Sequence, residues 1–148
     1  MKSAIFVRVS TARQDYQRQI SDLEKEAERQ NLQVVEIIKE KISGASRRQD
    51  REGIQRLLQL SSTRQIDKVL VSEVSRLGRS TGDNLQLLDE LTSYGVSVYS
   101  LDMGIDTLQD GKRTMVAELL FTVFSSLACQ ERERLSAKPS RMTSILSL

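Results

Sequence analysis

Apolar positions follow two rhythms along the chain. Four short runs, Ser3–Val9, Gln33–Lys39, Lys68–Val74 and Val96–Leu101, read as strands. Val, Ile and Phe are prominent in the first three, as in strands covered on both faces. Between the runs, apolar residues recur at helical spacing. Tyr16, Ile20, Leu23 and Ala27 make one inward stripe, and Ile54, Leu57 and Leu58 make a shorter one. Leu85, Leu88 and Leu91, with Leu87 beside them, make a third. Gly95, after Tyr94, fits a helix C-terminal stop. Alternating strand and helix predict an α/β fold with an open, mostly parallel sheet.

The last periodic segment is longer. Met115, Val116, Leu119, Leu120, Val123, Phe124 and Leu127 form a wide apolar stripe, followed by the charged run Gln130-Glu131-Arg132-Glu133-Arg134. A helix of ~24 residues spans ~36 Å, more than the cover of a small sheet requires. Two readings stand: a core helix with a solvated end, or a helix that projects and packs against another subunit.

Composition narrows the classes. The 148 residues, 39% hydrophobic and 28% charged, suffice for one domain with a single core. No apolar run approaches the ~18 residues of a membrane span, and Met1-Lys2 leads straight into a strand without a signal pattern. The single cysteine, Cys129, allows no internal disulfide and fits a reducing, cytosolic setting. There is no histidine, which excludes Ser-His-Asp and Cys-His chemistry and most zinc sites.

The net charge of +2 names no partner, but its distribution is uneven. Lys39, Lys41, Arg47, Arg48, Arg51 and Arg56 stand against Glu40, Asp50 and Glu52, whereas residues 83–118 carry Lys112 and Arg113 against seven acids. Such asymmetry fits a polyanion on one side or ordinary surface variation.

Candidate chemistry gathers at strand ends. Arg8 and Ser10 are two apart at the end of the first strand, so they share a face. Ligand sites in open α/β sheets lie outside the carboxyl ends of strands. Alternatively, Ser10 or Thr11 caps the next helix and Arg8 is solvated. After the third strand comes Ser75-Arg76-Leu77-Gly78-Arg79-Ser80-Thr81, where Arg76 and Arg79 are one helical turn apart and Ser80 or Thr81 can cap a helix. Paired arginines suit phosphate oxygens. The polar loop Ser43-Gly44-Ala45-Ser46-Arg47-Arg48-Gln49-Asp50-Arg51 follows the second strand and either lies over a phosphate backbone or simply connects elements. A hydroxyl among arginines, without a metal-ligand cluster or a glycine-rich nucleotide loop, suits attack on a phosphodiester.

These residues resemble the catalytic domain of the serine recombinases, the resolvase/invertase family, from Lys2 to Ser136. The likeness rests on Arg8-Val9-Ser10-Thr11 with Gln14 and Gln19, Ser43-Gly44 with Arg51, Ser75-Arg76-Leu77-Gly78-Arg79, Gly111-Lys112, and Glu131-Arg132-Glu133-Arg134, in order. The resemblance implies that Ser10 is the nucleophile and forms a 5′-phosphoserine link to DNA. It assigns phosphate binding to Arg8, Arg76 and Arg79, and places Arg51, Gln14 and Gln19 in the active site. It has Glu131 and Arg132 support the site and the DNA contact; Arg47 and Arg48 of the basic loop are, from that loop's composition, further candidates for binding DNA or supporting the site. The resemblance further implies helices on both faces of the sheet, with the long C-terminal helix used for oligomerisation. The partners are DNA and further copies, as a homodimer and a synaptic tetramer. No cofactor, metal or membrane is expected, and the setting is the prokaryotic cytoplasm at the nucleoid.

Two departures qualify the match. Many members carry Asp where this chain has Ser75, which leaves the general base open. The family also continues into a DNA-binding region. Here residues 1–136 are expected to form the catalytic domain and residues 137–148 a short tail without a DNA-binding domain, Pro139 breaking the helix. The alternative function is a truncated, inactive recombinase acting as a dimerisation module. An α/β phosphotransfer receiver is disfavoured, because it requires an acidic pocket where this chain brings Ser10 and arginines.

Overall fold

The computed structural model describes residues 1–9, 13–41, 52–74, 77–78 and 80–136, with backbone alone at 9, 13–16, 41, 128 and 131–136. Four parallel strands, β1 (Lys2–Val9), β2 (Gln33–Lys41), β3 (Lys68–Val71) and β4 (Ser97–Ser100), join the short antiparallel β5 (Ile105–Asp106) in the order β2-β1-β3-β4-β5. Helices α1 (Arg13–Arg29), α2 (Glu52–Ser62), α3 (Thr81–Ser93) and α4 (Met115–Ser136) connect or follow them. The mostly parallel α/β architecture expected from the apolar rhythm is the one formed.

The period of two along β1 builds both halves of the core. Ala4 and Phe6 join Val69, Val71 and Val98 under Ile54, Leu57, Leu87, Leu88, Leu91 and Phe121 of α2, α3 and α4. Ile5 and Val7 join Leu70 and Tyr99 under Leu23 and Ala27 of α1. Each fully buried Leu or Ile contributes about 1.5–3 kcal/mol, so helices cover both faces.

β2 is the edge strand, and its outer positions Val35 and Ile37 remain exposed. The expectation that β2 is covered on both faces is therefore corrected: at Val35 and Ile37 the strand is open to solvent. A bulge accompanies this. Ser3 pairs with Val34 and Ala4 with Glu36, which leaves Val35 as one extra residue. β3 stops at Val71 rather than Val74, and Val74 C=O instead accepts the Leu77 N–H at 3.2 Å.

A small hairpin, β6 (Leu108–Gln109) and β7 (Lys112–Arg113), precedes α4. Asp110 and Gly111 both have positive φ, +53° and +77°, as a two-residue hairpin turn requires. Arg113 stands over the Phe121 ring at 4.0 Å and pairs with Asp89 of α3 at 3.2 Å, tying the hairpin to both helices. Beyond it α4 runs 22 residues, ~33 Å. Its inner flank, Ala117, Leu120, Phe121 and Phe124, packs on the core. Its outer flank exposes Met115, Val116, Leu119, Val123 and Leu127. No helix among the described residues is long and apolar enough to cross a membrane.

Candidate active site

Parallel strands all point their carboxyl ends to one edge, where β2, β1 and β3 end side by side. Arg8 is the penultimate residue of β1 and has the parity of Ala4 and Phe6, so it projects toward the layer of α2, α3 and α4. Its Nη1 donates to the carbonyl of Gly78, in the loop after β3, at 3.1 Å.

The bulge decides what stands beside Arg8. Unbroken register from Lys2 and Gln33 sets Lys39 opposite Arg8; with Val35 inserted, Glu40 takes that place. Aligned residues of parallel strands face the same way, so a carboxylate rather than an ammonium group neighbours the guanidinium. Glu40 is buried, and its Oε2 accepts the Ile54 N–H at 2.9 Å in the first turn of α2. A carboxylate at a helix N-terminus satisfies a backbone donor and meets the positive end of the dipole. Gly53 makes this possible: a Cβ there would lie 2.1 Å from Glu40 Oε2.

Gly78 is equally constrained. A Cβ on it would lie 2.7 Å from the Asn84 backbone nitrogen and 2.9 Å from the Asp83 carbonyl carbon. Its N–H donates to Asn84 Oδ1 at 2.7 Å. The helix it rests on starts at the N-cap Ser80, whose hydroxyl accepts the Asp83 N–H at 3.2 Å. The capping role expected for Ser80 or Thr81 thus belongs to Ser80.

Of the residues expected in the site, Arg8 is at the strand-end edge with defined partners. Gln14 lies in the first turn of α1, and Gln19 is half-buried further along it. Five positions apart, the two backbone positions are separated by about 140° around the helix axis. Glu131 and Arg132 fall in the last turns of α4. Ser10, Arg47, Arg48, Arg51, Ser75, Arg76 and Arg79 lie outside the described residues. The sequence reasoning missed Glu40 and Asn84. Glu40 had one available signal, an acid near the end of a predicted strand between Lys39 and Lys41. Among the described residues no cluster of three or more Cys, Asp or Glu side chains is suited to hold a metal ion.

Elsewhere, Glu36 on the β2 edge is gripped by Arg56 of α2 through Nε at 2.9 and 3.0 Å and Nη2 at 2.8 Å. These hydrogen bonds hold its carboxyl below the usual carboxylate range, against a smaller opposing effect of burial. A groove of about 560 Å³ between α3 and α4 is lined by Leu85, Asp89, Arg113 and Phe121 among others.

Comparison with known proteins agrees with this architecture. Residues 3–142 match the family model described as Resolvase, N terminal domain. A resolvase/recombinase of Pseudomonas putida is 37% identical over 130 residues, 88% of this chain and 65% of that protein. The transposon Tn3 resolvase of Escherichia coli is 36% identical over 130 residues, 88% of this chain and 63% of that protein. This chain thus spans a little under two thirds of the length of those relatives. The crystal structure of the N-terminal catalytic domain of TP901-1 integrase superposes with a TM-score of 0.72 at 34% identity, covering 90% of this chain and 98% of that one. The chain belongs to the resolvase N-terminal domain family, the catalytic domains of serine recombinases.

Proposed function

We propose that this chain is the catalytic unit of a site-specific DNA recombinase, cleaving and rejoining strands through Ser10. The observation that carries the reading is Arg8: it sits at a strand end two residues before Ser10 and is tied to Gly78, which lies between Arg76 and Arg79 in sequence. The Ser10 oxygen attacks the scissile phosphorus and forms a 5′-phosphoserine ester. The P–O bond to the 3′ oxygen breaks, the serine proton passes to solvent, and the leaving oxygen takes a proton from solvent to become a 3′-hydroxyl. The reverse attack by a 3′-hydroxyl rejoins DNA and frees Ser10. One phosphoester replaces another, so no external energy source enters.

Arg8, Arg76, Arg79 and Arg51 bind the phosphate and stabilise charge that develops on its non-bridging oxygens. One such donor typically contributes ~3 kcal/mol to a transition state. Gln14 and Gln19 support the nucleophile, Glu131 and Arg132 support the site and the DNA contact, and Arg47 and Arg48 meet the phosphate backbone. Glu40 offsets the charge of Arg8. The unit works without metal or cofactor, on nucleoid DNA in a prokaryotic cytoplasm.

The exposed stripe of Met115, Leu119, Val123 and Leu127 recurs every four residues along α4. We propose that a second copy of the chain covers it, giving a dimer in solution and a tetramer in synapsis. That stripe also favours the second reading, a non-catalytic dimerisation module. Incubation with a nicked suicide duplex in excess chelator separates the two. The catalytic reading expects a protein–DNA band that survives denaturation. Dimers without that band support the module, and a band that requires added magnesium contradicts the mechanism.

A further inference from the structure

We propose that Asn84 is a positioning residue for Arg8, acting through Gly78. The proposal rests on the strand-cleaving function above. Asn84 lies in α3 at 5% exposure. A carboxamide is costly to bury unless hydrogen-bonded, and this one is committed to the loop: its Oδ1 accepts the buried Gly78 N–H at 2.7 Å. The carbonyl of the same glycine accepts Arg8 Nη1 at 3.1 Å. The two polar backbone groups of Gly78 therefore link α3 to the guanidinium on β1.

The link is stiff at both ends. Gly78 lies flat against the start of α3, where no Cβ fits. Asn84 N–H bonds to Ser80 C=O at 2.9 Å, so the acceptor is carried by a formed and capped helical turn. A helix-forming Leu at position 84 would satisfy the packing of α3 but leave the Gly78 N–H buried without its acceptor, and the loop would shift to find one. Arg8 follows through the Gly78 carbonyl. Asn84 itself touches no substrate in this scheme.

The test compares Asn84→Leu, which removes the acceptor, with Asn84→Asp, which keeps an oxygen in its place. The readouts are the single-turnover rate of covalent adduct formation, duplex affinity, the NMR signals of the Gly78 amide and Arg8 guanidinium, and the circular dichroism melt. Asn84→Leu is expected to slow adduct formation about tenfold or more, as misplaced catalytic groups do, with duplex affinity unchanged. It should also expose the Gly78 amide to exchange and broaden the Arg8 signal, and Asn84→Asp should recover most of the rate. If Asn84→Leu fails to fold, Asn84→Ala carries the same comparison. A folded acceptor-less variant with the wild-type rate and an unchanged Arg8 signal overturns the proposal. If the wild type forms no adduct, the function assigned above fails, while the Arg8 and Gly78 signals still decide whether Asn84 fixes them.

Discussion

Arg8 and Glu40 are register partners across β1 and β2, and one bulged residue, Val35, makes them so. The carboxylate is in turn anchored on the Ile54 N–H, which requires the space that Gly53 leaves.

Replacing Gly53 with Ala should therefore act on the active site. The new Cβ would displace the Glu40 carboxylate from the helix start, with a loss of up to about 1.5–3 kcal/mol for a hydrogen bond to a charged group. Urea denaturation should show a fall within that range, and adduct formation should slow as Arg8 loses its neighbour. Unchanged stability and rate in Gly53→Ala would mean that Glu40 is not held as described.

The Glu36–Arg56 pair predicts a pH dependence. Its hydrogen bonds lower the Glu36 carboxyl below 4.5, so folding gains from the pair above the unfolded value and loses that gain as pH falls through the folded value. Arg56→Met should be less stable than wild type at neutral pH. The gap should narrow below pH 4.5 and close at lower pH. Both side chains are partly exposed, which keeps the effect small and salt-sensitive. A gap that does not change with pH would assign the Arg56 effect to packing.

The two flanks of α4 predict opposite outcomes. Leu119→Asp and Val123→Asp alter exposed positions and should leave the circular dichroism melt intact while lowering the sedimentation mass. Ala117→Asp places a charge at a fully buried position and should unfold the domain. Phe124 packs on the core, so a charge there tests stability rather than association. Folded Leu119→Asp with an unchanged mass would count against this interface.

Much of the fold was legible because burial imposes periodicity. Leu23, Ala27, Ile54, Leu57, Leu88 and Leu91 stand at helical spacing and all are buried. The alternation in β1 serves two cores, which a continuous apolar run already suggests. β5, β6 and β7 escaped notice because two residues carry no periodicity, although Asp110-Gly111 is a hairpin signal. At the candidate site, the placement of Arg8 at the strand-end edge was legible from the apolar run before it. Glu40 was not, because its neighbour depends on the bulge at Val35 and its hydrogen bond on a helix fourteen residues away. Asn84 was hidden among the leucines of α3, since nothing local shows that its polar group turns toward Gly78.

The central claim is that Ser10 forms the bond to DNA. The most direct measurement is peptide mapping by mass spectrometry of the adduct formed on a suicide duplex. The DNA should be held above the ~10⁻⁴–10⁻⁶ M range of non-specific binding. The account predicts a 5′-phosphorylated DNA end on the peptide containing Ser10, and no adduct from folded Ser10→Ala. A link at another residue, or an adduct that persists in Ser10→Ala, would contradict it.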